Sequence, residues 1–225
     1  MTAEVSCPLC SAQESVLFYQ GKQRPYLQCL VCQLIFVPAT CYLSSSAEKE
    51  QYQLHENNPD DCRYREFLSR TYSPLCLRLS PGSSGLDFGS GPGPTLSVMF
   101  EEAGHKMAIY DPFFSPDTAV LNKPYQFITA TEVVEHLHSP GKVFSQLNSL
   151  LLPSGWLGVM TRLAPKKHEF ASWYYKNDPT HVCFYSRHTL RFIAHRLQWA
   201  VEFLPGGVTL FRKSGVNSNP IDIYP

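Results

Sequence analysis

An α/β fold is predicted, a doubly wound sheet with a small metal-bound module ahead of it. Three observations predict it. Two C-x-x-C pairs, "CPLC" at 7–10 and "CLVC" at 29–32, stand 18 residues apart near the start. A glycine-rich turn, "DFGSGPG" at 87–93, joins a short apolar run to a helical pattern that a second apolar run follows. The composition, 44% hydrophobic and 17% charged over 225 residues, supports one generous domain, or one domain with a small appendage, and a real core.

The first unit is read as residues 1–42. Two thiolates three positions apart on a tight turn supply two corners of a tetrahedron, and a second such turn supplies the rest. Cys7, Cys10, Cys29 and Cys32 are therefore expected to hold one structural Zn²⁺. "SVLFYQG" and "RPYLQC" between the pairs read as strands, and "QLIFVP" after them as a third, which makes a zinc ribbon. The alternatives are a pair of free-thiol turns, or a redox pair, which would normally open a helix. Residues 43–80 read as a helical connector or lid, with a helix through "CRYREFLSRTY" broken near Pro74.

Residues 81–216 form the main domain, and 217–225 a tail. A strand, the turn, a helix, a stop after Ala103 and a strand ending in Asp111 make the first βαβ unit. Glycines at 89, 91 and 93 let the backbone approach a ligand. Asp111, 24 positions after Asp87, stands where an acid suits a ribose diol. No lysine follows the turn, so it is not a phosphate loop, and it departs from the G-x-G-x-x-G dinucleotide pattern.

That turn resembles the one in class I S-adenosylmethionine-dependent methyltransferases, which have a Rossmann-like sheet. "YQFITATEVVEHL" resembles their fourth strand and its following segment. "VFSQLNSLLLPSGWLGVMT" resembles their next helix, turn and fifth strand, and "WAVEFLPGGVTLFRK" their closing antiparallel hairpin. The resemblance spans roughly residues 60–213. It implies that Gly89, Gly91 and Gly93 pass under S-adenosylmethionine, that Asp87 orients its amino-acid end, and that Asp111 holds its ribose. Pro112, Phe113, Thr131 and Glu132 complete the expected cofactor set. Phe113 and Phe114 would wall the adenine, or else pack as ordinary core aromatics. Only 13 residues separate Asp111 from Tyr125, so the family's third strand should be reduced or missing. Gln126 replaces a frequent acid and is given no role.

"TEVVEHL" at 131–137 crowds Glu132, Glu135 and His136. Were it helical, all three would share one face. Crowding two carboxylates and an imidazole is costly unless the face is wet or serves some chemistry. The segment "FASWYYKNDPTHVCFYSRHTL" at 170–190 is dense in aromatics. Most of these read as packing, but His181 follows an Asp178-Pro179 turn and is expected to face the cleft. His136 or His181 would serve as a general base. Alternatively, Glu132, Glu135, His136 and His181 would bind a second divalent metal. "E-x-x-E-H" with a later His resembles the metal site of small-RNA 2′-O-methyltransferases, and more loosely O-methyltransferases of ubiquinone synthesis. A third possibility is that the acids cap and solvate a short helix while His136 packs.

The expected activity is methyl transfer to a hydroxyl of a small molecule, with Glu135, His136 and His181 as catalytic residues. Methylation of RNA gripped by the zinc ribbon is the alternative. A non-catalytic cofactor-binding module is another, against which the aromatics and the Glu/His cluster argue. Lysine plus arginine equals aspartate plus glutamate, at 19 each, which argues against a nucleic-acid partner. No run approaches the roughly 20 apolar residues of a membrane span. The start carries no signal-peptide pattern, and eight cysteines, four clustered on a metal and four scattered as free thiols, suit a reducing compartment, so a cytoplasmic location is expected. Oligomeric state is not legible.

Overall fold

The computed structural model describes residues 5–54 and 57–215; the expected tail at 217–225 lies outside the described residues. Two sheets organise the chain. The smaller begins with β1 (Ser15–Gln20), β2 (Pro25–Cys29) and β3 (Ile35–Phe36), each antiparallel to the one before it. Its fourth strand, β8 (Cys183–Phe184), comes from the far end of the sequence and pairs antiparallel with β3. The module and the main unit thus share a sheet.

The larger sheet contains β4 (Ser84–Phe88), β5 (Lys106–Tyr110), β6 (Tyr125–Thr131), β7 (Leu151–Met160), β9 (Trp199–Phe203) and β10 (Val208–Lys213). The order is β5-β4-β6-β7-β10-β9. The first four are parallel, and β10 runs antiparallel to both β7 and β9. This is the doubly wound sheet with an antiparallel hairpin that the sequence predicts. The third strand is missing: a single 3₁₀ turn, Thr118–Asn122, links β5 to β6.

Alternation along the strands explains the double winding. Phe127 faces one side of β6, with Leu68 and Leu75 of α2 (Cys62–Cys76) and Phe100 of α3 (Thr95–Glu102). Its neighbour Ile128 faces the other, with Phe144 of α4 (Pro140–Leu150) and Leu190 and Ile193 of α6 (Arg187–Leu197). Both faces of the sheet are therefore buried under helices, as parallel sheets require. The second core continues without interruption into Leu34, Phe36 and Phe184 of the smaller sheet.

One expectation is corrected here. α2 does not break at Pro74 but runs on to Cys76. Pro74 deprives only the Arg70 carbonyl of its helical donor. Burial of Leu75 beside Gly158 keeps the last turn in place. Gln126, given no role by the sequence, accepts from the Ser84 N–H at 2.9 Å and fixes the start of β4.

Candidate active site

A cavity of about 1230 Å³ opens at the carboxyl ends of β4, β5, β6 and β7, where ligands bind in open α/β sheets. One wall begins with the glycine-rich turn. Gly89 has φ +79°, and a Cβ there would meet Val133 at 2.4 Å. A Cβ on Gly93 would lie 1.7 Å from the Asn57 carbonyl oxygen. The segment leading into α2 therefore rests directly on the turn, and Asn57, Tyr64 and Phe67 line the cavity. No motif in the sequence marks these three. For Tyr64 and Phe67 the only signal is the apolar stripe of α2, which reads equally as core, and Asn57, ahead of that helix, carries none.

Asp111 is buried, and its carboxylate gathers three backbone donors. Oδ1 accepts from Phe113 and Phe114 N–H at 2.8 and 3.0 Å, and Oδ2 from Gly91 N–H at 3.0 Å. A carboxylate has about four lone-pair sites, so one remains for a ligand. Asp87 sits underneath the turn rather than on the cavity wall. Its oxygens accept from Thr129 Oγ1 at 2.7 Å and Ser97 Oγ at 3.4 Å. Burial raises its carboxyl to about 6 against the pull of those hydroxyls. Gly89, Gly91, Pro112, Phe113, Thr131 and Glu132 all line the cavity, whereas Gly93 lies behind it.

"TEVVEHL" is not an α-helix. β6 ends at Thr131, Glu132 takes a left-handed backbone at φ +52°, and Val134–His136 form one 3₁₀ turn. The carboxylates and the imidazole meet through a tight turn and a distant loop rather than along a helix face. Nor does Glu135 solvate anything, being wholly buried. Its Oε1 accepts from the Tyr175 hydroxyl, which also lies 3.1 Å from Glu132 Oε2. Burial, then the neighbouring Glu132, raises the Glu135 carboxyl to about 8, and burial raises Glu132 as well.

The aromatic-rich loop at 170–190 brings His181 to this turn. Rings of His136 and His181 lie 4.6 Å apart, edge to face, and both line the cavity. His136 Nδ1 is 3.2 Å from the Thr180 carbonyl oxygen, and His181 Nδ1 is 2.8 Å from that of Tyr175. A carbonyl only accepts, so each Nδ1 carries a hydrogen, and His181 Nε2 lies 3.7 Å from the Asp178 carboxylate. One ligand atom from each of Glu135, His136 and His181 falls within 4.8 Å of the others, and Glu135 Oε2 is buried with no hydrogen-bond partner. Glu132, expected as a fourth ligand, stands outside that group. Of the loop's other aromatics, Trp173 and Phe184 pack on Phe170, Tyr185 is buried with its hydroxyl on the Val134 carbonyl, and Tyr174 is exposed.

In the N-terminal module, Cys7, Cys10, Cys29 and Cys32 also lie within 4.8 Å of one another, none in a disulfide. Cys7–Cys32 and Cys10–Cys29 Sγ pairs are each 3.5 Å apart. A tetrahedral ion with 2.3 Å bonds places sulfurs about 3.8 Å apart, so the donor set fits zinc closely. A hydrogen bond from Cys32 lowers the Cys7 thiol to about 5, while burial holds Cys10 up at about 11.

Comparison with known proteins agrees with this architecture. A family model described as "Methyltransferase domain" matches residues 63–203, more than half of the chain. A search of curated proteins finds no match. Among solved structures, the chain is similar to a Burkholderia thailandensis 1,6-didemethyltoxoflavin N1-methyltransferase with bound S-adenosylhomocysteine. Identity is 13%, coverage 89% of this chain and 99% of that one, and the TM-score 0.53. An O-methyltransferase family protein from the same organism matches at 10% identity over 76% and 64% of the two chains, with a TM-score of 0.48. A Bacillus halodurans methyltransferase, described as putative, matches at 15% over 60% and 67%, with the same score. At such identities the first likeness, the one above 0.5, is one of fold, and the family rests on the sequence match itself. With the strand order, the glycine turn under the cavity and that match in agreement, the chain belongs to the methyltransferase-domain family and is an S-adenosylmethionine-dependent methyltransferase.

Proposed function

We propose that this methyltransferase acts on a hydroxyl group of a small molecule seated against Glu135, His136 and His181. The observation that carries the reading is the pairing of a buried, unpartnered carboxylate oxygen with two imidazoles anchored through Nδ1. That is how proteins present ligands to a metal, or a base to a proton. Mixed carboxylate and imidazole donors fit a divalent cation such as Mg²⁺, Mn²⁺ or Zn²⁺. Glu135, His136 and His181 would hold it, with Glu132 nearby, and a cation there would acidify the acceptor hydroxyl. It would also relieve the crowding of Glu132 and Glu135 around one phenol.

For the cofactor, Gly89 and Gly91 would allow its close approach and Asp111 has one acceptor site left for the ribose. Phe113 stands beside it at the expected adenine wall. Bound S-adenosylmethionine supplies an activated methyl, so the protein's remaining task is to place the nucleophile in line with it. The cavity is large enough for cofactor and acceptor together.

The module does not suit a grip on RNA. Lys22 and Arg24 are the only basic residues in its 42 positions, and Arg24 is buried. Its four sulfurs leave a zinc ion no open position, which makes that ion structural. Among the described residues no helix is long and apolar enough to cross a membrane.

S-adenosylhomocysteine formation with a metabolite extract against total RNA tests the acceptor class. Glu135→Ala and His181→Ala should each abolish turnover and leave cofactor affinity intact. A general base acting without metal, His136 or His181, is favoured by the Nδ1 anchors that hold both rings on the cavity wall. Turnover lost in both variants yet indifferent to EDTA would select that second reading. Turnover surviving in both removes the cluster from the reaction.

A further inference from the structure

The N-terminal module contains one buried cation, Arg24, and its surroundings are unusual for a charge. Nη2 donates to the carbonyls of Lys176 and Asp178 at 2.9 and 2.6 Å, and Nη1 to that of Pro179 at 2.9 Å. Nε donates to the Tyr26 hydroxyl at 3.2 Å, which itself donates to the Lys176 carbonyl at 2.8 Å. No carboxylate is among these partners. A guanidinium has five donors in a rigid planar fork, and here three of them gather the carbonyls of Lys176, Asp178 and Pro179, within a span of four residues. Those carbonyls converge only if residues 176–179 are bent into a turn.

That turn is flanked by the two carbonyls that set the imidazoles. Tyr175, just before it, accepts from His181 Nδ1, and Thr180, just after it, accepts from His136 Nδ1. A second connection runs through the small sheet. Val37 N–H donates to the Val182 carbonyl, and Val182 N–H donates to the Glu135 carbonyl, at 2.9 and 2.8 Å. The module thus touches every member of the cluster through one intervening residue or turn.

We propose that the module serves the reaction from within the protein, and that Arg24 is a positioning residue. By gathering the carbonyls of Lys176, Asp178 and Pro179 it holds the turn whose flanking Tyr175 and Thr180 carbonyls accept from Nδ1 of His181 and His136, and so fixes the hydrogen on Nδ1 and the set of both rings. The consequence for methyl transfer rests on the reading of that cluster as the acceptor site, but the positioning itself does not. Lysine would not replace Arg24, because a compact ammonium with three donors does not match the planar fan of acceptors.

The test is histidine side-chain ¹H–¹⁵N NMR on the full chain as purified, with no divalent cation added, alongside S-adenosylhomocysteine calorimetry. In the wild type both rings should show protonated Nδ1. In Arg24→Ala, the His181 and His136 signals should shift toward the Nε2-protonated form that imidazole favours in water, with cofactor affinity unchanged. Added ethylguanidinium should restore the original tautomer where ethylammonium does not. Unchanged tautomers in a folded Arg24→Ala protein would overturn the proposal. So would a parallel loss of cofactor affinity, which marks general loosening. Should Arg24→Ala not fold, Tyr26→Phe carries the test by deleting one hydrogen bond to the Lys176 carbonyl. A partial shift of His181 is then expected, and no shift overturns the idea. The measurement needs no acceptor, so its failure is distinct from that of the cluster's proposed role, which turnover by Glu135→Ala and His181→Ala decides.

Discussion

Replacing Glu135 with Gln should make the folded protein more stable at alkaline pH and leave it nearly unchanged at acid pH. Burial, then the adjacent Glu132, raises the folded carboxyl from an ordinary 4.5 to about 8. Between those pH values the unfolded chain releases a proton that the folded chain keeps. Wild-type stability therefore falls as pH rises through that window, by about 1.4 kcal/mol per pH unit for one such group. The full window would give close to ~5 kcal/mol, and sharing of the proton with Glu132 brings the expectation to about 3–5 kcal/mol. Gln is neutral throughout and keeps an oxygen for the Tyr175 hydroxyl. The two proteins should therefore match near pH 5 and diverge up to pH 8, with the variant the more stable, and run parallel above that. Urea titrations at intervals from pH 5 to 9 measure this, with no divalent cation added, since a bound cation would keep Glu135 ionised. Parallel stability curves across the whole range would refute the claim that Glu135 is held protonated by its surroundings.

Elemental analysis should find about one zinc per chain in protein purified without chelator, with four sulfur ligands near 2.3 Å by X-ray absorption. No zinc, or a Cys7–Cys10 disulfide, would exclude the assignment. Asp111→Ala should weaken S-adenosylmethionine binding by about 1.5–3 kcal/mol through loss of charge-assisted hydrogen bonds. Because Gly91 loses its partner too, protection of the Gly91 amide in hydrogen exchange should fall with the affinity. Equal affinities by calorimetry would remove Asp111 from the cofactor site.

What the sequence announces is what depends on neighbours along the chain. Paired cysteines three positions apart, glycines between a strand and a helix, and an acid at the end of the next strand each encode local geometry. The short stretch between Asp111 and Tyr125 even shows that a strand is lacking, because 13 residues cannot hold two helices and a strand. The 3₁₀ turn at "TEVVEHL" was hidden, since acids and a histidine at those spacings suit a helix equally well. Only packing against Tyr175 and His181 selects the left-handed backbone at Glu132.

Tertiary structure decided the rest, for one physical reason: a hydrogen bond or a shared strand is blind to separation along the chain. His181 meets His136 across 45 positions because β8 pairs with β3 and draws the preceding loop against the turn. Tyr175, which reads in the sequence as one more packing aromatic, places its hydroxyl between two carboxylates. Asn57, which carries no motif, reaches the glycine turn because a Cβ-free surface lets the chain lie on it. Arg24 finds its carbonyls some 150 positions away, so nothing around it in the sequence marks it as more than a surface charge. By itself the sequence determined the four-cysteine module, the sheet and the glycine-rich turn; only the fold decided which distant side chains gather around Glu135 in the cavity, because burying polar groups there requires partners that local sequence does not supply.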